Sequence, residues 1–253
     1  MIFIRSLLYL LVLAIITPVI AFAMAVVMPF TKRAVPFALA QLWTHMAIFF
    51  VRVICGIKHQ VIGADNVPTT PTIVMAKHQS SWETIFFMTF FPAQTWVIKK
   101  ELVMVPFFGW GIAMLTPVSI DRSAGKDALQ QVVEQGAQRM KDGLWMMIWP
   151  EGHRIAPDKK GRYKIGGAAL SAKTDVPILP IAHNAGTFWP RHWFWKYPGT
   201  ITVSIGPLIH PHGREAAEII VEVEDWIENE MRRISPGYVG VPAEIAYVET
   251  AAR

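Results

Sequence analysis

An uncharged, apolar run over residues 6–30 constrains the fold of this chain more than any other feature. The run is long enough to cross the hydrocarbon core of a bilayer as one helix. Arg5 lies before the run and Lys32 and Arg33 follow it, so basic residues flank both ends. The positive-inside rule therefore leaves the orientation of this helix open.

A second, less apolar stretch covers residues 34–57 and includes Arg52. A charged side chain makes an independent second span expensive, so we expect an interfacial helix or one arm of a hairpin within a leaflet. The sequence AFA at 21–23 has the form of a signal-peptide cleavage site, but the apolar run continues unbroken beyond it to Phe30. We therefore predict that residues 1–57 form uncleaved, membrane-anchoring helices.

The composition agrees with a protein that works at a membrane surface. Of the 253 residues, 53% are hydrophobic, and the mean hydropathy of +0.34 is higher than that of an ordinary soluble domain. The net charge of +5 favours an anionic lipid surface or an acidic partner, and no nucleic-acid-binding motif accompanies it. The single cysteine, Cys55, excludes an intrachain disulfide and fits a reducing compartment.

Beyond residue 57, short apolar runs alternate with amphipathic segments, which is typical of an α/β domain. The runs predict seven strands, near residues 59–63, 71–76, 95–98, 116–121, 144–149, 177–183 and 200–206. The amphipathic segments predict helices near residues 81–91, 104–114, 124–141, 165–174 and 213–234. We therefore expect one mixed, largely parallel sheet of about seven strands covered by helices, with ligands gathered at the carboxyl ends of the strands.

The sequence KHQSSWE at 77–83 places a histidine directly after the apolar run at 71–76. Histidine takes up a proton near neutral pH, and a carboxylate such as Glu83 can hold the ring tautomer and stabilise the imidazolium. Because no serine, cysteine or lysine nucleophile is placed for activation, we interpret His78 as a base that acts on a substrate hydroxyl. The alternative is structural, since Ser80 and Glu83 have the S-x-x-E spacing of a helix capping box.

Several further motifs follow in a fixed order along roughly half of the chain. They are KKEL at 99–102 with Pro106 and Gly109 after it, SIDR at 119–122, WPEGHR at 149–154 and VPILP at 176–180. With His78 and Glu83, they resemble the H-x4-D, K-x-E-L…P…G, I-D-R, F-P-E-G-T-R and V-P-I-x-P motifs of the glycerolipid acyltransferases. Their order and spacing are most similar to those of the 1-acyl-glycerol-3-phosphate acyltransferase family.

The chain departs from this family pattern at two positions. The acid of the first motif is Glu83 rather than aspartate, which keeps the charge but moves the carboxylate by about 1.5 Å, one C–C bond. His153 stands where the third block has threonine or serine. Neither change removes a charge from the pattern, but both bear on which substrate is preferred.

The resemblance implies a glycerol-3-phosphate acyltransferase-like fold, with the catalytic domain over residues 58–253. It implies transfer of a fatty acyl group from acyl-CoA or acyl carrier protein to the sn-2 hydroxyl of 1-acyl-glycerol-3-phosphate, which makes phosphatidic acid for phospholipid biosynthesis. The expected location is the cytoplasmic face of a bacterial inner membrane, in contact with membrane lipids. Neither a metal nor a prosthetic group is expected, because the acyl thioester is a cosubstrate.

The acceptor in such a reaction carries a phosphate, which needs fixed cations. Arg122 and Arg154 are candidates because a guanidinium binds phosphate oxygens in a bidentate manner. Lys99 is the third candidate, and we prefer it to Lys100 because it aligns with the first lysine of K-x-E-L. Neighbours on a strand point to opposite faces, so only one of the two lysines is expected to reach the site.

The remaining predicted site residues surround the reacting groups. His78 is the expected general base and Glu83 orients it. Glu151 would position Arg154 or a substrate hydroxyl, with a salt bridge at the strand end as the alternative. Gly152 would allow a tight turn and a close approach of the backbone.

Two other segments are consistent with a lipid surface. Residues 188–197 mix tryptophan and tyrosine with arginine and lysine, as at the headgroup level of a bilayer, although an inward-packed aromatic turn has the same composition. The basic run at 159–164 predicts contact with anionic lipid or acyl carrier protein, or a solvated face.

Three other functions agree with parts of the sequence. A metal hydrolase could use His78, Glu83 and His153, but the sequence lacks H-E-x-x-H or a comparable ligand spacing. A noncatalytic membrane-binding protein would keep the anchor without needing a histidine and its carboxylate partner. A sibling acyltransferase for another lysolipid or for glycerol 3-phosphate is the nearest alternative, because of the departures at Glu83 and His153.

Overall fold

Two long helices open the chain and pack against each other as a hairpin. They are α1 (Ile2–Val27), followed by a 3-10 turn at Met28–Phe30, and α2 (Ala34–Phe50), which continues as a π-helical turn at Val51–Cys55. By length and composition both stretches are sufficient to cross a membrane. Only 6% of the most apolar window of α1 is buried, compared with 33% for α2. This computed structural model describes residues 1–31, 34–106, 108–120, 126–191 and 194–242.

A seven-stranded sheet follows and confirms the predicted mixed, largely parallel architecture. All seven strands lie where the apolar runs predicted them. They are β1 (Ile57–Ile62), β2 (Ile73–Ala76), β3 (Gln94–Lys99), β4 (Val118–Ile120), β5 (Trp145–Ile148), β7 (Ile178–His183) and β8 (Gly199–Ile205), while β6 (Lys159–Lys160) belongs to a second sheet. The order in the sheet is β1-β8-β7-β2-β5-β3-β4, and β8 runs antiparallel to β7 while every other neighbouring pair is parallel.

Helices connect the strands, and all but one of those described lie within a few residues of the predicted positions. They are α3 (Trp82–Phe90), α4 (Phe108–Met114), α5 (Lys126–Lys141), α6 (Gly166–Thr174), the short α7 (Ala185–Phe188), which was not predicted, and α8 (Ala216–Ile234). The largest difference concerns the helix predicted at 104–114. There the backbone forms a 3-10 helix at Lys100–Met104 and turns extended at Val105, because Pro106 disfavours helical geometry in the residue before it.

A second, two-stranded sheet was not predicted. It pairs β6 (Lys159–Lys160) with β9 (Val241–Pro242) in parallel. Strands of two residues are too short to show an alternation in the sequence. The pairing brings the end of the described chain back to the basic run at 159–164.

The core lies on both faces of the sheet, and β2 shows how it divides. Ile73 and Met75 belong to the apolar cluster that includes α8, whereas Val74 and Ala76 belong to the cluster that includes α1, α2 and α3. Successive side chains of a strand point to opposite faces, so this alternation follows from the backbone itself. The first two helices therefore share one hydrophobic cluster with the sheet.

Candidate active site

His78 lies two residues beyond the last residue of β2, at the carboxyl end of the central strands. Its backbone is fixed on both sides, because its N–H donates to Glu151 Oε2 at 2.7 Å and its carbonyl accepts from the N–H of Ile155 at 2.7 Å. The imidazole is 14% exposed. The histidine is therefore held by its main chain while its ring remains accessible.

Glu83 lies in the first turn of α3 and contacts the His78 ring directly. Its Oε1 lies 2.8 Å from His78 Nδ1 and also accepts from the backbone N–H groups of Gln79 at 3.0 Å and Ser80 at 2.9 Å. The hydroxyl of Ser80 in turn accepts from the N–H of Trp82 at 3.1 Å. The same carboxylate thus accepts the N–H groups of a capping turn and contacts the histidine ring. The capping interpretation and the histidine-orienting interpretation of this motif are therefore compatible.

The electrostatics of Glu83 favour its charged form. Burial raises the pKa of this carboxyl, but the electrostatic interaction with the nearby His183 and the hydrogen bonds from His78 and the Ser80 N–H outweigh burial and bring the pKa below its ordinary value. An ionised Glu83 accepts a hydrogen bond from the protonated Nδ1 of His78. This leaves Nε2 of His78 as the basic ring nitrogen.

A second histidine, His183, lies behind the pair and was missed by the sequence analysis. Its Nε2 lies 2.7 Å from the carbonyl oxygen of Lys77, and its Nδ1 accepts from the N–H of Ala185 at 3.3 Å. These partners fix a neutral ring with the proton on Nε2. Burial lowers the pKa of His183, partly opposed by Glu83. Its position at the end of β7 is the one sequence signal that could have found it.

The His78 ring lies on the wall of a cavity of about 880 Å³. That volume is within the range of sites that enclose small molecules. Much of the wall is apolar and comes from the first two helices, through Thr17, Ile20, Ala21, Met24, Ala40 and Trp43, together with Ile85, Ile112 and Leu115 of the domain. The helices assigned to the anchor therefore build part of the site.

Cations line the same cavity. Arg154 and Gly152 of the third block lie on its wall with His78, as do Arg162 and Lys164 from the basic run. Sequence reasoning had treated that run as a lipid-binding, carrier-binding or solvated loop. The cavity therefore offers more than one cation for an anionic group.

Lys99 and Arg122 are the other two predicted cations. Lys99 is 51% exposed at the side chain, and its Nζ lies 3.4 Å from a carboxylate oxygen of Glu101. Arg122 lies outside the described residues. Of the three predicted phosphate ligands, the structure thus brings Arg154 to the cavity that holds His78.

Glu151 is buried and faces the main chain rather than the solvent. Its Oε2 accepts the N–H of His78, and its Oε1 lies 2.8 Å from Nζ of Lys77. Burial raises the pKa of Glu151, whereas Lys77 and the His78 N–H act in the opposite direction. Gly152 follows with φ +71°, in the left-handed region, and a Cβ there would lie 3.0 Å from Nζ of Lys164.

The aromatic segment at 188–197 packs against α1 where the structure describes it. Lys196 is buried, with its Nζ 4.7 Å from the ring centroid of Trp189 and 5.4 Å from that of Tyr9. Its backbone N–H donates to the hydroxyl of Ser6 at 3.0 Å. Phe3 contacts the ring of Phe194, with centroids 5.2 Å apart. This segment therefore joins the first helix to the domain.

Metal-ligating groups are a separate question. Among the described residues, no group of three or more histidine, cysteine, aspartate or glutamate side chains is arranged to hold a metal ion.

Comparisons with known proteins agree with these features. Residues 58–184 match the profile of the family described as Acyltransferase. The chain is 44% identical over 239 residues to the 1-acyl-sn-glycerol-3-phosphate acyltransferase of Pseudomonas aeruginosa, a match that covers 92% of each protein. It is 24% identical over 159 residues to the protein of the same name from Borreliella burgdorferi, covering 62% of this chain and 63% of that one.

Among solved structures, the fold is similar to the crystal structure of the 1-acyl-sn-glycerophosphate acyltransferase of Thermotoga maritima. The TM-score is 0.76 at 22% identity, and the superposition covers 92% of this chain and 95% of the other. The likeness therefore extends over the first two helices as well as the sheet.

Proposed function

This chain belongs to the 1-acyl-sn-glycerol-3-phosphate acyltransferase family, and we propose that it transfers a fatty acyl group from an acyl thioester to the sn-2 hydroxyl of 1-acyl-glycerol-3-phosphate. The observation that carries the proposal is the contact of His78 Nδ1 with Glu83 Oε1, at 2.8 Å, on the wall of a large and mostly apolar cavity. In the proposal, His78 is a base that lies beside space for an acyl chain.

The reaction follows from the state of the His78 ring. Nε2 takes the proton of the acceptor hydroxyl while that oxygen attacks the thioester carbonyl, so a C–O bond forms. The C–S bond then breaks, and the imidazolium returns the proton to the departing thiolate. Glu83 stabilises the imidazolium through Nδ1–H. General-base help of this kind contributes roughly 10²- to 10⁴-fold, and the rest comes from positioning and from stabilising the oxyanion.

The cavity wall has both apolar and cationic side chains, which suits an acceptor with an apolar chain and an anionic group. The apolar side chains from α1 and α2 suit fatty acyl chains. Arg154, with Arg162 and Lys164 on the same wall, suits the phosphate, because guanidinium and ammonium groups form charge-assisted hydrogen bonds to its oxygens. Arg122 and Lys99 remain candidates from the sequence motifs alone.

The location follows from the two helices and the substrates. Helices α1 and α2 are long and apolar enough to enter a bilayer, where the lysolipid acceptor also resides. Acyl-CoA and acyl carrier protein are cytoplasmic molecules. We therefore assign residues 1–57 to the anchor, residues 58–253 to the catalytic domain, and the site to the cytoplasmic face of a bacterial inner membrane.

Acyl transfer in membranes that contain the wild type or His78→Ala tests the proposal. A labelled acyl group is offered on CoA or on acyl carrier protein, with lysophosphatidate, lysophosphatidylcholine or glycerol 3-phosphate as acceptor. We expect labelled phosphatidic acid from the wild type and a loss of at least about 100-fold in His78→Ala at equal abundance. His210→Ala, in an exposed loop, serves as the matched histidine control and should behave as wild type.

The outcomes separate the parts of the proposal. Undiminished activity in His78→Ala would remove this residue as the base. Activity with another acceptor only would assign the chain to a sibling acyltransferase, and the absence of transfer with every donor and acceptor would overturn the reaction class.

A further inference from the structure

The ammonium of Lys77 is fully buried between two carboxylates. Its Nζ lies 2.8 Å from Glu151 Oε1 and 2.8 Å from Glu228 Oε1, and 3.3 Å from the hydroxyl of Tyr238. A buried charge is very costly unless it is paired and hydrogen-bonded. The sequence therefore places, directly before His78, a buried cation that these partners stabilise.

Glu228 connects this cation to a helix that is distant in the sequence. It lies on α8, with its side chain 3% exposed, and accepts a hydrogen bond from Tyr163 Oη at 2.9 Å and another from Tyr238 Oη. With the ammonium of Lys77 it thus has three donors. Glu228 and Tyr238 lie outside the 58–184 segment that matches the family profile.

Glu151 joins the same cation to the reacting residue. Its second oxygen accepts the N–H of His78 at 2.7 Å, and its first oxygen lies 2.8 Å from the ammonium of Lys77, the contact that fixes it. A carboxylate in this environment needs that cation to remain charged, because burial raises the pKa of Glu151. The position of the His78 backbone thus depends on a charge one residue before it.

We propose that Lys77, Glu151 and Glu228 act as positioning residues for acyl transfer. They hold the loop that carries His78 in the position that the reaction requires, and Glu228 does so from α8. The proposal rests on the function proposed above, in which His78 is the base. None of the three needs to touch a substrate. A displacement of a reacting group by about 1 Å can cost on the order of 10²-fold in rate, so a modest loosening of this loop is measurable.

Glu228→Gln is the informative variant, because the hydrogen bonds of Glu228 go to Lys77, Tyr163 and Tyr238 rather than to His78, and glutamine keeps the size of the side chain. Glu230→Gln is its matched control, since Glu230 lies on the same helix and is paired with Arg233 instead. We expect kcat to fall about 10- to 100-fold in Glu228→Gln, with KM for both substrates within about threefold of wild type. Glu230→Gln should keep the wild-type kcat.

Hydrogen–deuterium exchange gives a second readout that does not depend on activity. Peptides covering residues 77–83 should exchange faster in Glu228→Gln than in the wild type or Glu230→Gln, at a temperature where all three are folded. Lys77→Met should show the same exchange change, and Glu228→Gln decides the matter if Lys77→Met does not fold.

Unchanged kcat and unchanged exchange in folded Glu228→Gln, whatever its melting temperature, would reduce the network to a stabilising role and overturn the inference. Failure of the proposed function is a separate result. In that case the wild type itself transfers no acyl group, while the exchange experiment still reports whether the network fixes the loop.

Discussion

The indole of Trp149 stacks on the imidazole of His78, with ring centroids 5.0 Å apart and planes inclined by 30°. An aromatic face attracts a cation placed over it, and tryptophan does so most strongly. In the proposed reaction the imidazole gains a positive charge only as the hydroxyl is deprotonated. The indole therefore stabilises the transition state more than the ground state, which is the condition for catalysis.

Replacing Trp149 tests this stacking. We expect Trp149→Leu to lower kcat about 2- to 30-fold, the range of a cation–π contact of roughly 0.5–2 kcal/mol. Trp149→Phe keeps an aromatic face and should retain most of the activity. Steady-state kinetics with lysophosphatidate decides the issue, and equal losses in the two variants would show that the aromatic face makes no contribution.

Charge removal at Glu83 should impair the reaction while leaving the turn intact. In Glu83→Gln an amide oxygen can still accept the backbone N–H groups of Gln79 and Ser80, but the imidazolium loses its counter-charge. We expect kcat to fall by about 10²- to 10⁴-fold. Glu83→Asp keeps the charge on a shorter side chain, so its kcat should lie between those of the wild type and Glu83→Gln. Circular dichroism verifies folding, and wild-type kcat in folded Glu83→Gln would contradict the assigned role.

Replacing Arg154 and replacing Lys99 should have different effects on kcat/KM for the acceptor. Arg154 lies on the cavity wall, so Arg154→Ala is expected to lower kcat/KM for lysophosphatidate about 10- to 100-fold, the loss of a charge-assisted hydrogen bond. Lys99 is exposed and paired with Glu101, and exposed ion pairs contribute little, so Lys99→Ala should remain within about threefold of wild type. A larger loss in Lys99→Ala would support Lys99 as a phosphate ligand.

The first two helices should control which acyl chains are accepted. Ala40 of α2 lies on the cavity wall, whereas Ala38 of the same helix is exposed. Ala40→Phe fills part of the cavity and is expected to lower kcat/KM for long acyl chains by at least about tenfold relative to short ones. Ala38→Phe is the matched control and should leave the preference unchanged. A chain-length series of acyl thioesters measures both, and identical profiles would place the acyl chain elsewhere.

His183 should make stability depend on pH. Its folded-state pKa lies below the ordinary value of 6.5 because burial disfavours the charged ring. The unfolded chain therefore binds more protons below pH 6.5, and the free energy of unfolding falls as the pH is lowered from there. His183→Gln, whose amide can still donate to the Lys77 carbonyl, should reduce this slope by up to about 1.4 kcal/mol per pH unit.

Denaturant unfolding in detergent between pH 7 and 5.5 measures that slope. Burial and other contacts also lower the pKa of His59 and His153, so the variant is expected to weaken the dependence rather than abolish it. The carboxyl of Glu83 titrates below its ordinary value of 4.5, outside this window. An unchanged slope would mean that His183 does not titrate on unfolding.

The sequence predicted what is encoded locally. Buried strands such as β2 and β7 read as short apolar runs, and their parallel order follows from the alternation with helices. The contact between His78 and Glu83 spans five residues in one turn, so spacing alone places the two groups near each other.

Long-range partners could not be predicted in the same way. Lys77 and Glu228 are 151 residues apart, and Lys77 and His183 are 106 apart, so no spacing rule joins them. Lys77 reads as an ordinary charged residue at a strand end, and only the packing of α8 shows that it is buried. The role of α1 and α2 in the cavity was missed for the same reason, because hydropathy reports affinity for lipid and not the faces that helices present to the domain.

The separation of Lys77 from Glu228 along the chain has a consequence for biosynthesis. The two N-terminal helices and the His78 loop leave the ribosome before α8 does. In the proposed function, membrane attachment thus precedes the support that α8 gives to the histidine. We therefore expect a chain truncated before α8 to reach the membrane without acyltransferase activity.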